Sequence, residues 1–68
     1  MDYIVVFKRD SKEVLACIPL ADGGEAVVKK DIDYKFYRNG SEPVFTELPY
    51  GGIALKENAV TINNLKRV

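Results

Sequence analysis

The alternation of apolar and polar residues predicts a chain of short β-strands. Apolar runs are brief, and turn-forming residues separate them at short intervals, which is typical of an antiparallel meander. Tyr3 to Lys8 is apolar on both faces and predicts a central strand. Val14 to Ile18 predicts a second, antiparallel strand. We expect this strand to end at Pro19, because proline cannot donate a hydrogen bond to a central ladder.

The clearest alternation runs from Asp31 to Arg38 and predicts a strand with one buried and one solvated face. The face expected to lie in the core carries Ile32, Tyr34 and Phe36. The face expected to meet solvent carries Asp31, Asp33, Lys35 and Tyr37. This strand is therefore predicted to be half-buried.

Asn39 and Gly40, directly after this strand, are the strongest hairpin signal in the chain. They predict that Glu42 to Thr46 returns and pairs with the preceding strand. Pro43 cannot donate a ladder hydrogen bond, so we expect either a loop longer than two residues, which we favour, or an open edge at Pro43.

Glycine-containing turns are predicted at Asp22 to Gly24 and at Pro49 to Gly52, and neither has the residues of a phosphate-binding loop. A short strand from Glu25 to Lys29 is expected after the first turn. After the second, Ile53 to Leu55 and Val60 to Ile62 are predicted to pair across a turn. That turn is centred on Glu57-Asn58. The tail from residue 63 is predicted to be frayed or to form a last helical turn.

Together these elements predict one small β domain over residues 1–68. Its expected fold is all-β, an antiparallel meander of six or seven short strands that forms an open barrel or a two-layer sandwich. The alternative is an α+β arrangement with a short C-terminal helix.

A chain of 68 residues buries a small core and usually needs further stabilisation from a disulfide, a metal or self-association. Cys17 is the only cysteine and there is no histidine, so an internal disulfide is impossible and a zinc site would be unusual. We therefore expect no metal and no cofactor. Self-association, most simply as a homodimer, is the remaining means of stabilisation.

Ten basic and ten acidic residues give a net charge of zero, so no strong attraction to nucleic acid or to anionic membranes is expected. No apolar stretch is long enough to span a bilayer. Met1 to Phe7 has no basic residue and does not resemble a signal peptide. These features predict a cytoplasmic protein, and the sequon at Asn39-Gly40-Ser41 is interpreted as a turn.

Three groups of residues are candidates for chemistry. Cys17 lies among apolar neighbours and is predicted to be a buried, inert thiol. Asp31 and Asp33 share a strand face with nearby lysines, which predicts two ordinary ionised carboxylates. Aromatic and basic residues alternate from Tyr34 to Arg38, a pattern that also occurs in proteins that bind single-stranded nucleic acid. The predicted contact residues of this segment, for a protein partner or for nucleic acid, are Lys35, Tyr37 and Arg38.

The sequence predicts no catalytic residues, and we expect that the protein is not an enzyme. The favoured function is a protein-interaction or assembly module that pairs with itself or another protein through sheet edges. Its candidate contacts for self-association are Tyr37 and the second strand, Val14 to Ile18. The alternative is a small nucleic-acid-binding accessory protein. The short strands and the Glu42 to Phe45 segment resemble, in general character, small proteins encoded by phages or prophages, which would suit that alternative.

Overall fold

The computed structural model describes residues 1–49 and 51–58, and this part of the chain forms two small antiparallel sheets. The strands are β1 (Asp2–Lys8), β2 (Val14–Leu20), β3 (Ile32–Tyr37), β4 (Phe45–Glu47) and β5 (Ile53–Leu55). One sheet has the order β2-β1-β3, and the other is the β4–β5 pair. The predicted all-β fold class is confirmed, with five strands in the described residues.

Strand β1 lies at the centre of the larger sheet, as its sequence predicts. Ile4 lies opposite Ile18 on β2 and Phe36 on β3. Ile4 and Val5 point to opposite faces, and both are 0% exposed. The central strand is therefore covered on both sides, which explains why it has no polar face.

Different parts of the chain cover the two faces of the larger sheet. Val5 and Phe7 belong to the hairpin face, so named because Leu55 of the β4–β5 hairpin packs against it, with Val14 and Tyr37 at its margin. The opposite face, called the outer face below, carries residues of all three strands. They are Ile4, Val6, Ile18, Tyr34 and Phe36.

This arrangement reverses the predicted faces of β3. Tyr37, expected in solvent, packs partly buried against the core cluster. Tyr34, expected in the core, is 54% exposed on the outer face. The physical reason is the position of the β4–β5 hairpin, which covers the side of the sheet that carries Tyr37 rather than the side that carries Tyr34.

The turn at Asn39 and Gly40 forms, but the predicted hairpin does not. Both residues have positive φ, at 55° and 84°, and the amide of Ser41 donates to the carbonyl of Arg38 at 3.0 Å. These are features of a two-residue hairpin turn. Continued pairing would place Pro43 in the ladder opposite β3, where it has no N–H to donate. The chain instead leaves β3, and its next strand pairs with β5.

Three smaller expectations also differ from the structure. Strand β2 continues through Pro19 to Leu20, because β2 is an edge strand and edges tolerate proline. Residues 25–29 form no strand. Residues 56–58 are helical, where a polar hairpin turn was predicted. The predicted strand at 60–62 and the tail from residue 63 lie outside the described residues.

Substitution of Leu55 tests whether the hairpin supplies the core of the hairpin face. Leu55 is 0% exposed, so Leu55→Ala should lower the free energy of unfolding by about 2–5 kcal/mol. Ile53 lies on the same strand and is half exposed, so Ile53→Ala should cost only about 0.5 kcal/mol. Urea denaturation of both variants measures the difference. Equal losses would contradict the assignment of Leu55 to the core.

Candidate functional site

The carboxylate of Asp2 joins three parts of the fold at one end of the outer face. Its Oδ2 accepts hydrogen bonds from the amide of Gly23 at 3.0 Å and from Nη1 of Arg38 at 2.9 Å. Its Oδ1 accepts from the amide of Asn39 at 3.1 Å. Asp2 is only 3% exposed. Because a buried carboxylate needs such donors, these bonds fix the loop after β2 and the turn after β3 to the start of β1.

The same donors lower the pKa of the Asp2 carboxyl. The hydrogen bond from Arg38, followed by that from the Gly23 amide, lowers the pKa of Asp2 from 3.8 to about 2. Both bonds favour the charged form of the carboxyl over the neutral one. Asp2 is therefore ionised at neutral pH and serves as an anchor rather than as an acid or base.

A second polar cluster connects residue 57 to β3 on the hairpin face. Nζ of Lys35 forms an ion pair with Oε1 of Glu57, and the hydroxyl of Tyr37 donates to the same oxygen at 3.1 Å. Lys35 also lies 5.4 Å from the centre of the Tyr37 ring. Burial and the Glu57 carboxylate raise the pKa of Tyr37 to about 12, and the Lys35 hydrogen bond lowers the pKa of Glu57.

The structure separates the three predicted contact residues. Lys35 and Tyr37 lie together beside Glu57, whereas Arg38 lies on the opposite face of the sheet. Arg38 binds Asp2, donates to the carbonyl of Gly24 at 2.9 Å, and its guanidinium lies 4.3 Å from the Phe36 ring centre. The three side chains therefore do not form one continuous surface, and the groups predicted to contact a ligand are held by partners within the chain.

Of the other chemical candidates, Cys17 has a different position from the one expected. Cys17 is exposed, so its prediction as a buried thiol is wrong, because β2 is an edge strand. Asp33 pairs with Nε of Arg9 at 2.9 Å, and Asp31 is exposed. Among residues 1–49 and 51–58, no group of three or more Asp, Glu, Cys or His side chains is placed to hold a metal ion.

Two of the basic pairs in the sequence come together in space. Nη2 of Arg9 donates to the carbonyl of Lys30 at 3.1 Å, which joins Lys8-Arg9 to Lys29-Lys30. Carboxylates accompany these cations, since Lys8 pairs with Glu13 at 3.5 Å and Arg9 pairs with Asp33. The cluster is therefore of mixed charge. The third pair, at residues 66–67, lies outside the described residues.

The outer face is only partly covered. Residues 25–29 cross it without forming a strand, and the side chain of Val27 projects fully into solvent. A cavity of about 240 Å³ lies between this segment and the sheet, lined mainly by Ile4, Val6, Ile18, Ala26, Val28 and Ile32. Ile18 and Tyr34 remain about half exposed on either side. An exposed apolar face of this kind is typical of an interaction surface.

The two edges of the larger sheet differ in their suitability for pairing. In the part of the chain that the structure describes, β2 and β3 each pair with β1 alone. Strand β2 contains Pro19 and a bulge at Leu15, which lies between the residues opposite Val6 and Phe7. Both features protect a sheet edge from pairing. Strand β3 contains neither and pairs regularly with β1 from Ile32 to Tyr37.

Comparison with protein families, curated proteins and solved structures finds no match for this chain. In the described ranges, no helix is long and apolar enough to span a bilayer.

Sequence reasoning missed Asp2, the most heavily bonded side chain described above. Alternation along β1 places Asp2 on the same face as Ile4 and Val6, so a charged residue at this position needs a partner. That partner, Arg38, lies 36 residues away. The sequence indicates that Asp2 needs a cationic partner. Only the pairing of β1 with β3 shows that this partner is Arg38.

Substitution of Asp2 tests the anchor through its pH dependence. Because folding lowers the pKa of Asp2 to about 2, its contribution to stability is full above its unfolded pKa of about 4 and is lost as the pH falls toward 2. Asp2→Asn should therefore be less stable at pH 7 and should lose less stability than the wild type between pH 4 and 2. Thermal unfolding across this pH range measures both effects.

The matched control is Asp31→Asn, which removes an exposed carboxylate. Its stability should follow the wild-type pH dependence. Identical acid profiles for Asp2→Asn and the wild type would contradict the role of Asp2 as an anchor.

Proposed function

We propose that this chain is a non-enzymatic assembly module that associates with a second copy of itself through a sheet edge. The observation that carries this proposal is the β3 edge, which is regular and pairs only with β1 among the described residues. The amide of Ile32 donates to the carbonyl of Lys29 at 3.2 Å. The rest of an edge strand that pairs on one side only presents N–H and C=O groups that another strand can bind.

The partly covered outer face next to this edge supports the proposal. Tyr34 lies on β3 itself and is 54% exposed, while Ile18 and Val27 are exposed on the same face. Buried apolar area stabilises an association in proportion to its extent. A small domain with a limited core gains stability from such burial. A two-fold dimer supplies the burial without a second kind of protein chain.

The exposure of Cys17 supports a proposal about the cellular compartment of the protein. A lone accessible thiol persists unoxidised in a reducing environment. We therefore include a cytoplasmic location in the proposed function.

Nucleic-acid binding is the second candidate, favoured by the convergence of Lys8-Arg9 with Lys29-Lys30. A phage or prophage origin belongs to this candidate and stays a prediction. The carboxylates of Glu13 and Asp33 weaken the local positive charge. Arg38 is held by Asp2. For these reasons self-association is the better supported of the two.

Sedimentation velocity over a wide range of protein concentrations tests the proposal. We expect a monomer at low concentration and a discrete dimer at high concentration. A second set of samples contains a labelled single-stranded oligonucleotide at low salt, where electrostatic binding is strongest. The oligonucleotide should sediment unchanged. A monomer at every concentration would contradict self-association, and salt-sensitive sedimentation of the oligonucleotide with the protein would favour the second candidate.

A further inference from the structure

We infer that the second copy pairs antiparallel with β3 about a two-fold axis at Tyr34, so that Asp33 of each chain lies opposite Lys35 of the partner subunit. This inference rests on the proposed self-association and specifies its edge and its register. It follows from the order of charges along β3 and from the alternation of its side chains.

The choice of β3 follows from the two edges of the larger sheet. On β2, Pro19 removes an N–H and the bulge at Leu15 interrupts the regular spacing. On β3, the residues from Ile32 to Tyr37 include no proline and match β1 one for one. A continuous ladder with a partner strand needs this regularity.

The register follows from two-fold symmetry. In an antiparallel pair about a two-fold axis, the residue on the axis lies opposite itself, and residues equally far before and after it lie opposite each other. With Tyr34 on the axis, Asp33 lies opposite the partner's Lys35, and Ile32 lies opposite the partner's Phe36. The first pair brings opposite charges together on the hairpin face. The second pair brings apolar side chains together on the outer face.

Neighbouring registers oppose like charges or mix the faces. An axis at Asp33 places Asp33 opposite Asp33 of the partner subunit, and an axis at Lys35 places two lysines opposite each other. Directly opposed like charges are destabilising. An axis between residues puts the outer face of one copy beside the hairpin face of the other, because a shift of one residue exchanges the faces. The axis at Tyr34 avoids these like-charge pairs and is the register that places Asp33 opposite the partner's Lys35.

Contacts within each chain extend this charge pairing. Arg9 binds Asp33, and Glu57 binds Lys35, in both cases on or beside the hairpin face. Across the proposed interface, the order of charges is Arg9, Asp33, the partner's Lys35 and the partner's Glu57, which alternate in sign. The two-fold axis repeats this row, so that neither Asp33 nor Lys35 gives up its partner within the chain on pairing.

The interface also extends the outer face. Tyr34, about half exposed in the single chain, meets the partner's Tyr34 at the axis. The two three-stranded sheets then form one continuous sheet of six strands, because β3 is the edge strand of each among residues 1–49 and 51–58. This pairing buries the most exposed aromatic side chain of the described residues.

Disulfide trapping tests the register. In a Cys17→Ser background, Tyr34→Cys places two cysteines directly opposite at the axis, about 5 Å apart between Cα atoms, which a disulfide can span. Mild oxidation should give a covalent dimer on a non-reducing gel. Ile32→Cys and Phe36→Cys are the matched controls, since each alone is about 13 Å or more from its own copy. Neither should cross-link alone, but a mixture of the two should.

Charge exchange provides a second measurement that does not depend on cysteine. Asp33→Lys and Lys35→Asp should each weaken dimerisation at least about tenfold, because each places like charges opposite at two symmetric positions. The double variant restores opposite charges across the interface in the same register, but it sets like charges beside Arg9 and Glu57 within each chain. It should therefore dimerise more strongly than either single variant without reaching the wild-type affinity. Circular dichroism of each variant establishes that the monomer is folded.

The outcomes separate the register from the proposed function. A dimer that fails to cross-link through Tyr34→Cys would overturn the register, while self-association would stand. Cross-linking at Tyr34, with partial recovery by the double variant, would support both. A wild-type protein that stays monomeric at all concentrations would overturn both, and would mean that the β3 edge is closed within the chain or meets another partner.

Discussion

The burial of β1 on both of its faces is the constraint on which the rest of the structure depends. A central strand with no polar face needs a cover on each side, and a short chain has few residues to supply them. The β4–β5 hairpin covers one side through Leu55. Residues 25–29 cross the other side and leave Tyr34 and Ile18 half exposed. In the part of the chain that the structure describes, the unequal covers leave an apolar outer face beside a β3 edge that pairs only with β1.

Polar contacts then fix the ends of this arrangement. Asp2 joins β1 to the loop at Gly23 and the turn at Asn39, and Glu57 joins the residues after β5 to Lys35 on β3. Each carboxylate gathers donors that are distant in the sequence. These contacts hold β3 in register at both faces, which would give the proposed partner strand a defined edge.

The sequence predicted the features that depend on local chemistry. The apolar run at β1, the antiparallel return at β2, and the positive φ of Asn39 and Gly40 were all readable from residue type and spacing. The faces of β3 were predicted wrongly, because alternation shows that two faces differ but not which one the β4–β5 hairpin covers. The partner of β4 was also predicted wrongly, because the turn signal at Gly40 competes with Pro43, and only the folded chain shows which one prevails.

The candidate surface was less predictable than the fold. Lys35, Tyr37 and Arg38 are adjacent in sequence, but Arg38 points to the outer face and binds Asp2. The exposure of Cys17 depends on β2 lying at an edge. These are consequences of strand order, which a pattern of apolar and polar residues does not contain.

Hydrogen exchange measured at low and high protein concentration tests the central claim most directly, because it reports on each strand edge separately. If a second copy pairs with β3, the β3 amides that do not bond to β1 will exchange more slowly at high concentration, while those of β2 will not change. Exchange of the β3 amides that is independent of protein concentration, or slowing confined to β2, would contradict the assignment of β3 as the self-association edge.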